Sequence, residues 1–89
     1  MQATIEISMY PLTERYAESV IAFITELKQN PGIRVEVNGL STQLFGEYDV
    51  LMKVLSAAIR QKLETEHTVF ILKIGGGELS RENLPPVLK

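Results

Sequence analysis

The succession of hydrophobic patterns along the chain constrains its fold more than any other feature of these 89 residues. Apolar and polar side chains alternate over residues 3–10, which is the period of a half-buried strand. Pro11 ends this strand because proline has no N–H to donate to a neighbouring strand. Thr13 is the predicted N-cap of a helix that continues to about Lys28, with apolar residues at the spacing of one buried stripe.

The second half of the chain predicts a hairpin, a second helix and a last strand. Residues 33–37 alternate, and Asn38-Gly39 is typical of a tight type I′ turn. The strand after this turn reaches Gly46, where a helix over residues 47–63 is predicted to begin. Residues 67–74 form the last strand, in which an apolar residue at nearly every position indicates cover on both sides.

The predicted turn also fixes which side chains share a face of the sheet. A two-residue turn pairs Val37 with Leu40 across the hairpin. Thr42 then lies with the inward apolar positions, and Ser41 and Gln43 lie on the opposite face. A shift of register by one residue would exchange these two sets.

The predicted order is strand, helix, strand, strand, helix, strand. This is the arrangement of an α+β, ferredoxin-like βαββαβ two-layer sandwich, with an antiparallel four-stranded sheet and both helices on one face. We expect this domain to span residues 1–75 and a polar C-terminal tail to span residues 76–89. The open sheet face carries Tyr10 and Phe45, so we expect copies of the chain to associate there as a homodimer or homotetramer.

Composition argues against several functional classes. A net charge of −2 disfavours a nucleic acid partner, and the aromatic platform of RNA-binding sheets is missing. No stretch approaches the roughly 18 apolar residues of a membrane span, and the first residues lack a signal-peptide pattern. The chain has no cysteine, and therefore no disulfide or thiolate metal site, which fits a cytoplasmic protein.

Polar residues interrupt the apolar pattern of the strand after the hairpin. Ser41, Thr42 and Gln43 occupy positions where a strand that only built a core would carry Val or Ile. Glu47 follows at the entrance to the second helix, where the helix dipole favours negative charge. These groups predict a small ligand site, although they also fit a half-exposed strand and a partner of the helix dipole.

Three short motifs, SMYPL, NGLSTQ and GEYDVLMKVL, resemble the YkoF-like group of thiamine and hydroxymethylpyrimidine-binding proteins. They resemble more distantly a thiamine-binding family once catalogued as a domain of unknown function. The likeness covers residues 5–74, and it implies a ferredoxin-like fold without catalysis. It also implies a pocket for the aminopyrimidine part of thiamine, formed by Tyr10, Ser41, Thr42 and Glu47. The YkoF type has two such domains in tandem, so two copies of this chain would have to associate to reproduce it.

The predicted site residues suit this ligand chemically. An aminopyrimidine presents a hydrogen-bond donor beside an acceptor, which the side chains of Ser41, Thr42, Gln43 and Glu47 can pair with. Its flat ring can stack on Tyr10, a residue that fits a subunit interface equally well.

Other chemistry has little support in the sequence. Acylphosphatases of this fold use a glycine-rich loop after the first strand, whereas MYPLTER has no glycine and Arg15 lies in the predicted helix. His67 has no second histidine or cysteine to share a metal, and Gly75-Gly76-Gly77 lacks the rest of a phosphate-binding loop. We therefore expect no catalysis, no cofactor and no metal. The alternative to a ligand-binding protein is an oligomeric regulatory or assembly module.

Overall fold

A computed structural model describes all 89 residues and contains four strands and two α-helices in the order βαββαβ. The elements are β1 (Gln2–Pro11), α1 (Tyr16–Lys28), β2 (Ile33–Val37), β3 (Thr42–Glu47), α2 (Tyr48–Thr65) and β4 (Thr68–Gly76), with 3-10 turns at Arg81–Asn83 and Pro86–Leu88. The strands form one antiparallel sheet in the order β2-β3-β1-β4. The predicted ferredoxin-like fold is confirmed.

The core lies between the helices and one face of this sheet. Ala3, Ile5 and Ile7 of β1 are buried on that face and Met9 is partly buried there, as the alternation of β1 predicts. The buried residues that pack together are Ala3, Ile5, Ile7, Phe23, Leu27, Ile33, Leu44, Leu51, Leu55 and Ala58. Both helices therefore cover the same side of the sheet, and the other side is left open. Neither helix combines the length and the apolar character needed to cross a membrane.

The connection between β2 and β3 is longer than the predicted two-residue turn. Val37 pairs with Thr42, so four residues, 38–41, lie between the strands. The Asn38 side-chain oxygen accepts hydrogen bonds from the backbone N–H groups of Leu40 (2.8 Å) and Ser41 (3.1 Å), and this closes the loop. Gly77 is the one residue with positive φ, so the type I′ turn prediction is wrong. Because the register differs from the predicted one by two residues, every side chain keeps its predicted face.

The helices begin later than the sequence predicts. Thr13 lies in a turn before α1, where its hydroxyl accepts a hydrogen bond from the Arg15 N–H (3.4 Å), and the helix starts at Tyr16. Gly46 does not open α2 but remains in β3, opposite Ala3 of β1. Glu47 is instead the N-cap of α2.

Gly46 is a glycine because the neighbouring backbone leaves no room for a side chain. A Cβ atom there would lie 2.8 Å from the carbonyl oxygen of Gly32. We expect Gly46→Ala to lower the free energy of unfolding by about 1–3 kcal/mol, since backbone must shift to accommodate the methyl group. Urea denaturation measures this loss. Gly39→Ala is the matched control, because a Cβ at position 39 meets nothing within 4 Å. Equal stability of the two variants would contradict the packing described.

The beginning of the expected C-terminal tail packs onto the open face of the sheet. We call residues 77–83 the C-terminal strap. The Gly77 N–H donates to the Gln2 carbonyl (2.8 Å), which extends the pairing of β4 with β1 by one bond. Ser80 is 1% exposed, which makes it one of the most completely buried residues of the chain. The strap is therefore part of the packed structure.

Candidate functional site

The open face of the sheet carries a row of polar side chains that runs across all four strands. Glu6 on β1 lies between Gln43 on β3 and Lys73 on β4, and Gln43 is also paired with Glu36 on β2. These residues are far apart in the sequence, and the antiparallel register alone brings them side by side. A carboxylate, an amide and an ammonium group thus come together at the centre of the open face.

A cavity of about 310 Å³ lies beside this row, on the side of Thr4 and Gly75. It opens to solvent, and the strap contributes one of its walls through Leu79. The lining residues are Thr4, Glu6, Gln43, Lys73, Ile74, Gly75 and Leu79. The volume lies at the lower end of the range for small-molecule sites, which is roughly 300–1,000 Å³.

The carboxylate of Glu6 is the one anionic group that lines this cavity. Its Oε2 accepts a hydrogen bond from the Ser41 hydroxyl (3.0 Å), and its Oε1 lies 3.7 Å from the Lys73 ammonium. The Glu6 side chain is 38% exposed, whereas the Lys73 side chain is 82% exposed and so lies at the rim. A carboxylate has about four acceptor positions, so Glu6 keeps the capacity to bind a further donor.

The structure brings only part of the predicted site together. Gln43 lines the cavity and Ser41 binds Glu6 beside it. Tyr10 shares the open face but lies four residues beyond Glu6 along β1, a distance of about 13 Å. Thr42 points to the helix side, where it is 7% exposed. A role for Tyr10 or Thr42 in ligand binding stays a prediction.

Glu47, the remaining predicted residue, uses its carboxylate in hydrogen bonds at the start of α2. Its carboxylate accepts hydrogen bonds from the backbone N–H groups of Asp49 (2.8 Å) and Val50 (3.3 Å) and from the Met1 ammonium (3.1 Å). The bond from the Met1 ammonium, followed by those from Val50 and Asp49, lowers the pKa of the Glu47 carboxyl. Its role in ligand binding also stays a prediction.

The lowered pKa of Glu47 predicts a pH dependence of stability. A carboxyl whose pKa is lower in the folded state stabilises the fold above its unfolded-state pKa, and this contribution disappears as pH falls through the folded-state pKa. We expect Glu47→Gln to melt below the wild type at neutral pH, with the difference vanishing in acid. Thermal melts across pH, with Glu14→Gln as the exposed control, measure this. A melting difference that is unchanged in acid would contradict the assignment.

A larger cavity, of about 700 Å³, lies between α1 and α2 on the other side of the molecule. Its polar side chains are the exposed Glu26, Lys53 and Gln61, and the Asn30 amide already donates to the carbonyls of Glu26 (3.1 Å) and Leu27 (3.3 Å). Volume by itself does not specify a ligand. We therefore place the candidate site on the open sheet face, where half-buried polar groups converge.

Sequence reasoning missed Glu6, Lys73 and Leu79. A charged residue at an outward position of a strand, such as Glu6, looks like an ordinary surface residue. Lys73 carried a signal, because it is the one charged residue in an otherwise apolar strand. Leu79 carried none, since its position depends on how the strap packs.

Comparison with known proteins adds structural relatives. No protein-family model matches the chain, and no curated protein matches it. The Streptococcus pneumoniae protein SP2199 superposes with a TM-score of 0.77 at 27% identity, over 89% of this chain and 90% of that one. The Thermotoga maritima protein TM0486, provisionally assigned to thiamine biosynthesis or salvage, gives 0.77 at 23% identity, over 92% of each chain. A Bacillus cereus domain of unknown function, DUF77, gives 0.64 at 29% identity, over 84% of this chain and 75% of that one.

Proposed function

We propose that this protein binds thiamine or its hydroxymethylpyrimidine moiety without converting it, and that it binds this ligand in the cavity of the open sheet face. The observation that carries the proposal is the Glu6 carboxylate, which lies half-buried beside the Gln43 amide in a cavity of about 310 Å³. The similarity in fold to TM0486, a protein provisionally assigned to thiamine biosynthesis or salvage, supports the choice of ligand.

The chemistry of the cavity matches the edge of an aminopyrimidine ring. The amino group of the ring donates hydrogen bonds, which the Glu6 carboxylate accepts. The adjacent ring nitrogen accepts a hydrogen bond, which the Gln43 amide N–H donates. A hydrogen bond to a charged partner contributes more than one between neutral groups, so Glu6 supplies the larger share of recognition.

The groups that line the cavity support binding without turnover as the proposed function. A serine nucleophile needs an adjacent base, most often histidine. Ser41, whose hydroxyl donates to Glu6, is not among the residues that line the cavity. The one histidine, His67, precedes β4 at the end opposite Gly75. We therefore propose a carrier, buffer or sensor of the ligand rather than an enzyme.

Calorimetric titration with thiamine and with hydroxymethylpyrimidine tests this function. We expect saturable binding at about one ligand per subunit with micromolar affinity, which corresponds to roughly −8 kcal/mol. Flat traces with both ligands, from protein shown to be folded by circular dichroism, would overturn the proposal.

A second candidate function is assembly through the other end of the open face. Tyr10 and Val69 are cross-strand partners there and are 51% and 50% exposed, and Ile71, beside them, is 56% exposed. The cover expected on both sides of β4 is thus not supplied by this chain. Phe45, expected on the same surface, is 3% exposed beneath the Arg34 guanidinium, which lies 4.3 Å from its ring.

We propose that this exposed apolar patch joins copies of the chain into a homodimer or homotetramer. Sedimentation equilibrium tests this directly, and a monomer at all concentrations would overturn it. Because the patch and the cavity occupy different ends of the face, assembly and ligand binding are compatible.

A further inference from the structure

We infer that the C-terminal strap contributes to ligand binding, because Leu79 packs against the face of the bound pyrimidine ring. This inference rests on the function proposed above. One of the anchors that hold the strap on the sheet is a buried hydroxyl. Thr4 is 7% exposed, and its Oγ1 donates to the Gly77 carbonyl (2.8 Å) while accepting from the Leu79 N–H (2.8 Å). Both hydrogen-bonding functions of this hydroxyl are therefore used to position the strap.

Further contacts hold the strap on its other side. The Glu78 carboxylate lies 3.1 Å from the Arg34 guanidinium of β2, and the Asn83 amide donates to the Glu78 carbonyl (2.8 Å). Ser80, which is 1% exposed, donates to the Glu78 carboxylate (2.9 Å). The backbone around Leu79 is thus fixed from β1, from β2 and from within the strap.

These anchors place the Leu79 side chain directly over Gly75. A Cβ atom at Gly75 would lie 2.6 Å from Leu79 Cδ1, so the glycine is what allows the leucine to lie so close to the sheet. Yet Leu79 remains 63% exposed and lines the cavity. A large apolar side chain that an anchored backbone places at the edge of a polar cavity gains burial when a flat ring enters.

The residues that line the cavity contact different parts of the ring. Glu6 and Gln43 recognise the hydrogen-bonding edge of the ring, whereas Leu79 contacts its apolar face. Leu79 therefore selects for a planar ring rather than for a particular pattern of donors and acceptors. Because thiamine and hydroxymethylpyrimidine share this ring, the loss of Leu79 affects both ligands equally.

The test compares Leu79→Ala with Leu63→Ala by calorimetric titration with both ligands. Leu63 is a matched control because it is 56% exposed and lies on α2, away from the cavity. We expect Leu79→Ala to weaken both ligands by about tenfold, through loss of apolar contact, and Leu63→Ala to bind like the wild type. If the wild type binds and Leu79→Ala binds equally well, this inference is overturned and the proposed function stands. If the wild type binds neither ligand, both are overturned.

A second variant tests the anchor. Thr4→Val keeps the shape of the side chain but removes both hydrogen bonds to the strap. We expect faster hydrogen exchange at the Leu79 amide and the same loss of affinity as in Leu79→Ala. Unchanged exchange at that amide in Thr4→Val would overturn the role of Thr4 as the anchor.

Discussion

Glu6→Gln is expected to weaken the binding of thiamine and of hydroxymethylpyrimidine by about 10- to 100-fold. A hydrogen bond to a charged group contributes about 1.5–3 kcal/mol, and the neutral amide replaces the carboxylate without changing the size of the side chain. Glu6 is the one acidic residue among those that line the cavity, so no neighbouring carboxylate can take its place. Calorimetric titration of the variant measures the loss.

Glu36→Gln is the control for this experiment. Glu36 lies in the same row on the same face, two strands away from Glu6, and its carboxylate is hydrogen bonded to Arg34 rather than lining the cavity. Both substitutions remove one negative charge from the open face, so a general electrostatic effect would change affinity in both variants. Equal affinities of Glu6→Gln and the wild type would remove Glu6 from the site.

Phe23→Ala is expected to lower the free energy of unfolding by about 3–5 kcal/mol. Phe23 on α1 is 2% exposed, and its ring lies 5.1 Å from that of Phe70 on β4. Through this contact the edge strand β4 packs against the helical layer. Domains of this size are stable by only about 5–15 kcal/mol, so the variant is expected to be close to unfolding at physiological temperature.

Urea denaturation measures the loss, with Ile21→Ala as the control on the same helix. Ile21 is 64% exposed, so its truncation leaves no cavity. Phe23→Leu is expected to lose less than Phe23→Ala, because it keeps most of the apolar volume. A loss below about 1 kcal/mol in Phe23→Ala would contradict the packing of α1 on β4.

The sequence predicts the architecture because its periodicities are strong. Alternation in β1 assigns Ile5 to the core and Glu6 to the open face, and the same reasoning separates Leu72 from Lys73 in β4. The predicted length of the β2–β3 turn is wrong because of a local side-chain hydrogen bond. The Asn38 side chain closes a four-residue loop where a two-residue turn was expected, and this moves the register by two residues without exchanging faces.

The site is less predictable because it depends on contacts between distant residues. Gln43 stands out because it interrupts an apolar strand. Glu6 can be recognised as a site residue only once the register of the strands is known, because the register places it beside Gln43 and Lys73. Leu79 is placed at the cavity by the hydrogen bond from its backbone N–H to the hydroxyl of Thr4, which lies 75 positions earlier in the chain, and no local sequence pattern predicts such a contact.

The most direct test of the account is to map the bound ligand by nuclear magnetic resonance. The backbone amide spectrum of the labelled protein would be recorded during titration with hydroxymethylpyrimidine. We predict that the largest shifts cluster on the open sheet face, at residues 6, 43, 73 and 79. Shifts that cluster instead between the helices, at residues 26, 53 and 61, would contradict the placement of the site, as would a spectrum that does not change.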